Sequence, residues 1–281
     1  MRKFRKRCIF VSKNKRQKCR PIWATQNFLT SSQTIDRVIR LTSLDRDDHV
    51  IEIGPGKGHI TKRLLVTCGL VSAVEIDNRL YNTLTTRFQD SENVRLYHQD
   101  FLTWRLPKDG AYKVFSNIPF CFTTDIVRKL TEAENPPVEM WLTMEKGAAK
   151  RFLGRPSESL QSLLIKPRFD MGIVYYFRRD DFHPMPGVDV VLLQFRRKRE
   201  PDVQRNQWRA YSHFVNRAMK SGLPSLFTKT QLLKVCHDIG LHHDTPLASI
   251  CFVQWLCLFR CYWHHVLGKN PYTVSGKSNA C

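Results

Sequence analysis

Short apolar runs of strand length alternate with stretches of helical length over the first two thirds of the chain. Runs rich in Val, Ile and aromatic residues are typical of buried strands, and their alternation with helices favours a parallel sheet covered by helices. Two later runs, joined by a proline-rich loop, predict an antiparallel end to that sheet. The predicted strands are His49–Ile53, Leu70–Glu75, Val94–His98, Tyr112–Phe115, Val138–Met144, Gly172–Phe177 and Val188–Phe195.

Strand patterns disappear after Pro201, and apolar positions there recur at helical spacing. Near the start of the chain, Ser31 or Ser32 is placed to cap a helix that precedes the first predicted strand. We therefore predict a basic arm over residues 1–20, an α/β domain of Rossmann-like type over 21–200 and a small all-helical domain over 201–281. The helices predicted in the last domain are Gln204–Lys220, Thr230–Ile239 and Leu247–Leu267.

Positive charge changes this picture by indicating a partner. The 281 residues carry a formal net charge of +20, and ten Lys and Arg without a single acid lie within residues 1–20. A segment this highly charged cannot form an apolar core, so it stays in solvent or lies along a polyanion. Binding to a polyanion is favourable because it releases counterions. We expect a nucleic-acid partner, although charge that serves solubility alone is the simpler alternative.

Other compositional features narrow the class of protein. No apolar run approaches the roughly 20 residues that cross a bilayer, and the basic start lacks the apolar segment of a secretory signal, so we expect a cytoplasmic protein without a membrane partner. We also expect a monomer. The nine scattered cysteines favour reduced thiols. Cys257, Cys261, His264 and His265 lack paired C-x-x-C spacing and suit a packed helix, so we expect no metal.

The stretch VIEIGPGKGHIT (Val50–Thr61) predicts a strand, a glycine turn and a helix. Gly54, Gly56 and Gly58 allow the backbone to approach a ligand closely. A Walker loop is excluded because its Lys-Ser/Thr pair is absent, and the dinucleotide fingerprint fails at His59, where its third glycine would stand. A plain strand-to-helix turn remains an alternative.

Acids follow the next two predicted strands. Glu75 stands about 20 residues after the turn, where a carboxylate reaches ribose hydroxyls in nucleotide-binding folds, and Asp100 with Phe101 ends the third strand. Either acid alone could be a helix cap. Together they indicate a pocket for an adenosine whose 5′ substituent carries no phosphate, and S-adenosylmethionine is such a ligand.

The stretch SNIPF (Ser116–Phe120) ends the fourth strand at the same edge, because proline cannot continue a sheet ladder. The Asn117 side-chain oxygen and the Ile118 carbonyl could accept both N–H groups of an exocyclic adenine amine, which would free the nitrogen lone pair. Phe120 could stack on that base. Positioning would supply most of the catalysis, and the base must be single-stranded or flipped out of its helix.

These motifs resemble a known family. QNFL (Gln26–Leu29), IEIGPGKGHIT, EID, QDF, NIPF and FHPMPGVD (Phe182–Asp189) occur in the order found in the rRNA adenine N6-dimethyltransferases, most closely in the Erm branch that modifies 23S rRNA. The resemblance covers roughly residues 22–198. It implies an S-adenosylmethionine-dependent methyltransferase fold, methylation of one adenine in the peptidyl-transferase loop before full ribosome assembly, and resistance to macrolides, lincosamides and streptogramin B.

The resemblance also implies roles for particular residues, with the α/β domain catalytic and the helical domain bound to RNA. Phe120 stands where many relatives carry Tyr, so a phenolic hydroxyl can play no part here. The implied target-binding residues are Asn117, Ile118, Phe120 and Phe182, and the implied donor-binding residues are Asn27, Leu29, Gly54, Gly56, Glu75, Ile76, Asp100, Phe101 and Asn117.

Two alternatives share the fold. One is a housekeeping enzyme that dimethylates adenines of small-subunit rRNA, whose Asn-x-Pro-aromatic motif usually has Leu where this chain has Ile118. The other is a non-catalytic nucleic-acid binder, which the intact donor-site side chains disfavour.

Overall fold

The computed structural model describes residues 27–268, so the basic arm predicted over 1–20 and the last part of the predicted helical domain lie outside it. It contains nine strands: β1 Phe28–Leu29, β2 His49–Ile53, β3 Leu70–Glu75, β4 Val94–His98, β5 Lys113–Asn117, β6 Glu139–Glu145, β7 Phe169–Tyr176, β8 Phe182–His183 and β9 Val190–Arg197. The α-helices in these residues are α1 Ser32–Arg40, α2 His59–Thr67, α3 Asn78–Arg87, α4 Thr123–Thr131, α5 Lys146–Phe152, α6 Leu160–Ile165, α7 Trp208–Ser221, α8 Lys229–Asp238 and α9 Phe252–Cys261.

Seven strands form one sheet in the order β4-β3-β2-β5-β6-β9-β7. The pairs among β4, β3, β2, β5 and β6 are parallel, whereas β9 runs antiparallel to both β6 and β7. This confirms the predicted parallel sheet with an antiparallel end. Because β2, β3, β4 and β5 are parallel, the segments that follow them emerge at one edge of the sheet.

The predicted cap at the start of α1 is confirmed. Ser31 caps α1, and its hydroxyl accepts the Thr34 N–H at 3.3 Å. Two predicted helices start late. Residues 204–207 form a turn, so α7 begins only at Trp208, and two extended residues, Ile250 and Cys251, separate a short 3₁₀ turn from α9. After α9 the chain continues as a π-helical turn, Tyr262–Val266.

Apolar residues form two cores on the sheet and a third in the helical region. The helical core also takes in Leu163 of α6, whose carbonyl accepts the Tyr211 hydroxyl at 2.8 Å. The last helices are therefore packed onto the α/β part, and the boundary at residue 200 stays a prediction. Within residues 27–268 no helix combines the length and apolar character needed to cross a membrane.

Candidate active site

The three glycines between β2 and α2 all have positive φ, but they do different work. A Cβ on Gly54 would meet nothing within 4 Å, so the space beside it is open. A Cβ on Gly56 would lie 2.6 Å from the Phe28 ring, and one on Gly58 2.8 Å from the Phe88 ring. Gly58 therefore serves packing, whereas Gly54 leaves a cradle for a ligand.

Glu75, at the end of β3, holds the glycine turn in place. One carboxylate oxygen accepts the Gly56 N–H at 3.0 Å, and the other accepts the N–H groups of Ile76 and Asp77, each at 2.9 Å. Burial raises the pKa of Glu75, and these three hydrogen bonds oppose the rise. The structure thus assigns Glu75 a contact to the turn that the sequence did not predict, and its ribose contact stays a prediction.

A second buried acid, Glu52, lies in β2, the strand that leads into the same turn. Its carboxyl accepts the Thr61 hydroxyl at 2.7 Å. Burial raises the pKa of Glu52 to about 8, the Thr61 hydrogen bond opposes this rise, and nearby Glu75 adds to it. Sequence reasoning missed Glu52, although an acid inside an otherwise apolar strand was the available signal.

After β4, the loop with Asp100 and Phe101 is held from the side by α4. Asp100 accepts the Leu102 N–H at 2.8 Å. Lys129 donates to the carbonyls of Phe101 and Trp104, and its ammonium lies 4.7 Å from the centre of the Phe101 ring. Burial lowers the pKa of Lys129, and Asp100 opposes this. Sequence reasoning missed Lys129, which holds in place the loop predicted to bind the adenine of the methyl donor.

Asn117 ends β5 with an unpaired acceptor. Its Nδ2 donates to the Asn27 carbonyl at 2.7 Å. Since a carbonyl only accepts, this contact fixes which way the amide points. Oδ1 is then left buried, with no hydrogen-bond partner in the part of the chain that the structure describes. A buried amide oxygen without a donor marks a place where a ligand N–H can bind.

Asn117 borders a small cavity of about 20 Å³, room for about one water molecule. The cavity brings together five predicted site residues, while Leu29, Gly56, Glu75, Ile76, Asp100, Phe101 and Phe182 are not part of its lining. Its lining consists of Asn27, Phe28, Gly54, Asn117, Ile118, Pro119 and Phe120.

A two-stranded ladder, which the sequence did not predict, joins β1 to β8 beside the site. β1 pairs antiparallel with β8, which sets Leu29 opposite Phe182. The Phe182 ring is 3% exposed and lies edge-on to Phe177, with ring centres 5.3 Å apart. Phe120 is half-buried and faces the cavity. Phe182 belongs to the buried cluster against which Phe120 packs, and its contact with a base stays a prediction.

A possible metal-binding group lies far along the chain from this site. Among residues 27–268, the potential ligand atoms that come close together belong to exposed His242, His243 and Asp244. The Cys257–His265 group considered from the sequence is not gathered in this way.

This sheet order, with a glycine turn and buried acids at the carboxyl ends of its central strands, matches the fold of a methyltransferase of known structure, and the chain is an S-adenosylmethionine-dependent methyltransferase. The chain belongs to the ribosomal RNA adenine dimethylase family, whose sequence model matches residues 20–260. It is therefore an rRNA adenine N6-methyltransferase that uses S-adenosyl-L-methionine.

Individual relatives agree with this assignment. The chain is 34% identical to an rRNA adenine N-6-methyltransferase of Limosilactobacillus reuteri over 85% of its length and 95% of the relative's. It is 32% identical to an rRNA adenine N-6-methyltransferase of Lysinibacillus sphaericus, over 85% of this chain and 95% of that relative. The crystal structure of the 23S rRNA methyltransferase ErmE superposes with a TM-score of 0.75 at 25% identity, covering 84% of this chain and 99% of that one.

Proposed function

We propose that this chain, acting as a monomer, methylates the N6 of one adenine in the peptidyl-transferase loop of 23S rRNA before the ribosome is fully assembled. The added methyl groups would block the shared site of macrolides, lincosamides and streptogramin B. The likeness to ErmE supports 23S rRNA as the substrate.

The observation that carries the proposal is the unpaired Oδ1 of Asn117. Because Nδ2 donates to the Asn27 carbonyl, this oxygen is the atom proposed to accept one N–H of the amine of the target adenine. The Ile118 carbonyl is proposed to accept the other. Two accepted hydrogen bonds favour a pyramidal nitrogen and localise its lone pair, so the amine becomes a better nucleophile without a strong base.

The aromatic residues are proposed to hold the base. Phe120 lines the cavity beside Asn117 and can stack on a base that has left its helix. Phe182 supports this wall from the buried side, through the ladder between β1 and β8.

The residues around the glycine turn fit the methyl donor. S-adenosylmethionine supplies an electrophilic methyl group on its sulfonium, so the protein must chiefly position the two reactants. The open space beside Gly54 suits the methionine end of the donor, and Lys129 holds in place the loop proposed to bind the donor's adenine. The proposed donor-binding residues are Asn27, Leu29, Gly54, Gly56, Glu75, Ile76, Asp100, Phe101 and Asn117.

The test uses methyl-labelled S-adenosylmethionine with protein-free 23S rRNA and, separately, with assembled small subunits, followed by mapping of the labelled base. We expect label on one 23S adenine and a loss of about 10²–10³ in kcat in Asn117→Ala, the usual effect of removing a preorganised polar contact. Asn93→Ala is the matched control. Asn93 Nδ2 donates to the Leu65 and Cys68 carbonyls at 3.0 and 3.1 Å, so this change should lower stability and spare kcat.

The outcomes separate the candidate functions. Label on the small subunit would make the chain a housekeeping dimethyltransferase. RNA binding without label on either substrate, unaffected by Asn117→Ala, would make it a non-catalytic binder. A macrolide-sensitive host should gain resistance from the parent and none from Asn117→Ala, and sedimentation at the mass of one chain would support the monomer.

A further inference from the structure

A crevice of about 660 Å³ opens between the large sheet and the start of α7. Its walls come from the segment before β6, the residue that precedes β7, the end of β9, and the segment that leads into α7 with the first residues of that helix. This volume lies within the range of ligand-binding sites. Five cations line it: Arg168, Arg197, Lys198, Arg205 and Arg209.

Most of these cations have no carboxylate partner. Lys198 pairs with Asp202 at 2.7 Å, and Arg197 donates to a backbone carbonyl. In residues 27–268, no carboxylate oxygen lies within 4.0 Å of the Arg168, Arg205 or Arg209 guanidinium. Exposed glutamates at 132 and 134 lie on one wall, so the crevice keeps an excess of positive charge.

The Arg168 side chain is half-buried, which makes its positive charge unfavourable. Its guanidinium lies 5.3 Å from the centre of the Trp208 ring. Burial lowers the pKa of Arg168, and the nearby Arg197 and Arg205 lower it further, while Glu132 opposes them. An anion bound between these guanidinium groups would relieve their repulsion.

The crevice lies at the opposite edge of the sheet from Asn117. Arg196 pairs in register with Glu139, the first residue of β6, whereas Asn117 pairs with Thr143 towards the far end of that strand. At about 3.3 Å per residue, the four residues from Glu139 to Thr143 separate the two places by roughly 13 Å along the strand. A ligand of this crevice therefore does not touch the reacting adenine.

We propose that this crevice binds the phosphodiester backbone of rRNA at a point remote from the methylated adenine. Arginine suits phosphate because its planar fork donates two parallel hydrogen bonds. RNA is the favoured occupant because the chain's substrate is rRNA, and the charge excess matches a polyanion. The inference extends the proposed function and rests on it for the choice of RNA, and its binding test measures salt dependence and not methylation.

The test compares the parent, the double variant Arg205→Ala/Arg209→Ala and the control Arg217→Ala. Arg217 is an exposed arginine on the same helix as Arg209 but outside the crevice. The probe is a fluorescein-labelled 23S rRNA fragment that contains the peptidyl-transferase loop, titrated by anisotropy at several salt concentrations. We expect the double variant to flatten the slope of log affinity against log salt by about 1.4, or about 0.7 for each single-stranded phosphate contact. The control should keep the parent slope.

Kinetics give a second readout. For the double variant, KM on the long fragment should rise at least threefold more than KM on a short stem-loop that carries the target adenine alone, because only the long RNA reaches both places. Equal slopes in the double variant and the control would overturn the proposal, as would parent binding that does not respond to salt. If no RNA is methylated, the proposed function fails, and the anisotropy slopes still decide this site.

Discussion

Glu52 should make the folded protein less stable as the pH rises, and Glu52→Gln should remove that dependence. The carboxyl is buried beside Thr61 of α2, with its pKa raised from an ordinary value of 4.5 to about 8, chiefly by burial. Between these two values the folded chain keeps the Glu52 proton, whereas the unfolded chain has released it. Unfolding therefore releases a proton, and higher pH favours it.

The size of the effect follows from the same two values. Each pH unit in this window lowers the free energy of unfolding by about 1.4 kcal/mol, so the stabilisation from protonated Glu52 is about 5 kcal/mol in total, of which about 3 kcal/mol is lost by pH 7. It is fully present below pH 4.5 and lost as the pH approaches 8. The amide introduced by Glu52→Gln would stay neutral and could still accept the Thr61 hydroxyl, so at pH 7 the variant should be more stable by up to about 3 kcal/mol.

The assay is urea unfolding of both proteins at several values between pH 5.5 and 8.5. Because Glu75 titrates in both proteins, the difference between them largely isolates Glu52. Glu92→Gln, at an exposed site, controls for the same chemical change and should follow the parent. Parallel stability curves for the parent and Glu52→Gln over this range would refute the reasoning.

Two further predictions test the proposed donor site, one at the glycine turn and one at Lys129. Gly54→Ala and Gly58→Ala share the strain of a side chain at positive φ, and Gly58→Ala should lower the free energy of unfolding by about 1–3 kcal/mol more because its Cβ would also press on the Phe88 ring at 2.8 Å. Gly54→Ala should weaken donor binding because its Cβ would enter the open space proposed to hold the donor. Urea unfolding and calorimetric titration with S-adenosylmethionine measure the pair, and an equal stability loss in both would contradict the assignment. Lys129→Met should raise the donor Kd severalfold and leave the KM for RNA unchanged, because it releases the two loop carbonyls and the contact with Phe101. Lys129→Arg should partly restore donor affinity, and an unchanged Kd in Lys129→Met would remove this residue from the donor site.

The sequence by itself determined much of the sheet and the family. β2, β3 and β4 have the predicted bounds, and β5 stops just before Ile118, as the following proline requires. These features are local, since β-branched runs, glycine turns and proline act on their own neighbours. Other ends moved by a few residues, and β7 contains a bulge between Ile173 and Tyr175 that no local pattern announced.

Only the tertiary structure decided how the site is closed and oriented. The contact between Asn117 and Asn27 spans 90 residues of chain, and it alone determines which atom of the amide is left unpaired. The ladder that sets Leu29 opposite Phe182 and the bracing of the Phe101 loop by Lys129 likewise join distant segments. Such contacts depend on how whole elements pack, because burial and hydrogen-bond satisfaction are properties of the assembled fold, whereas periodicity is a property of neighbouring residues.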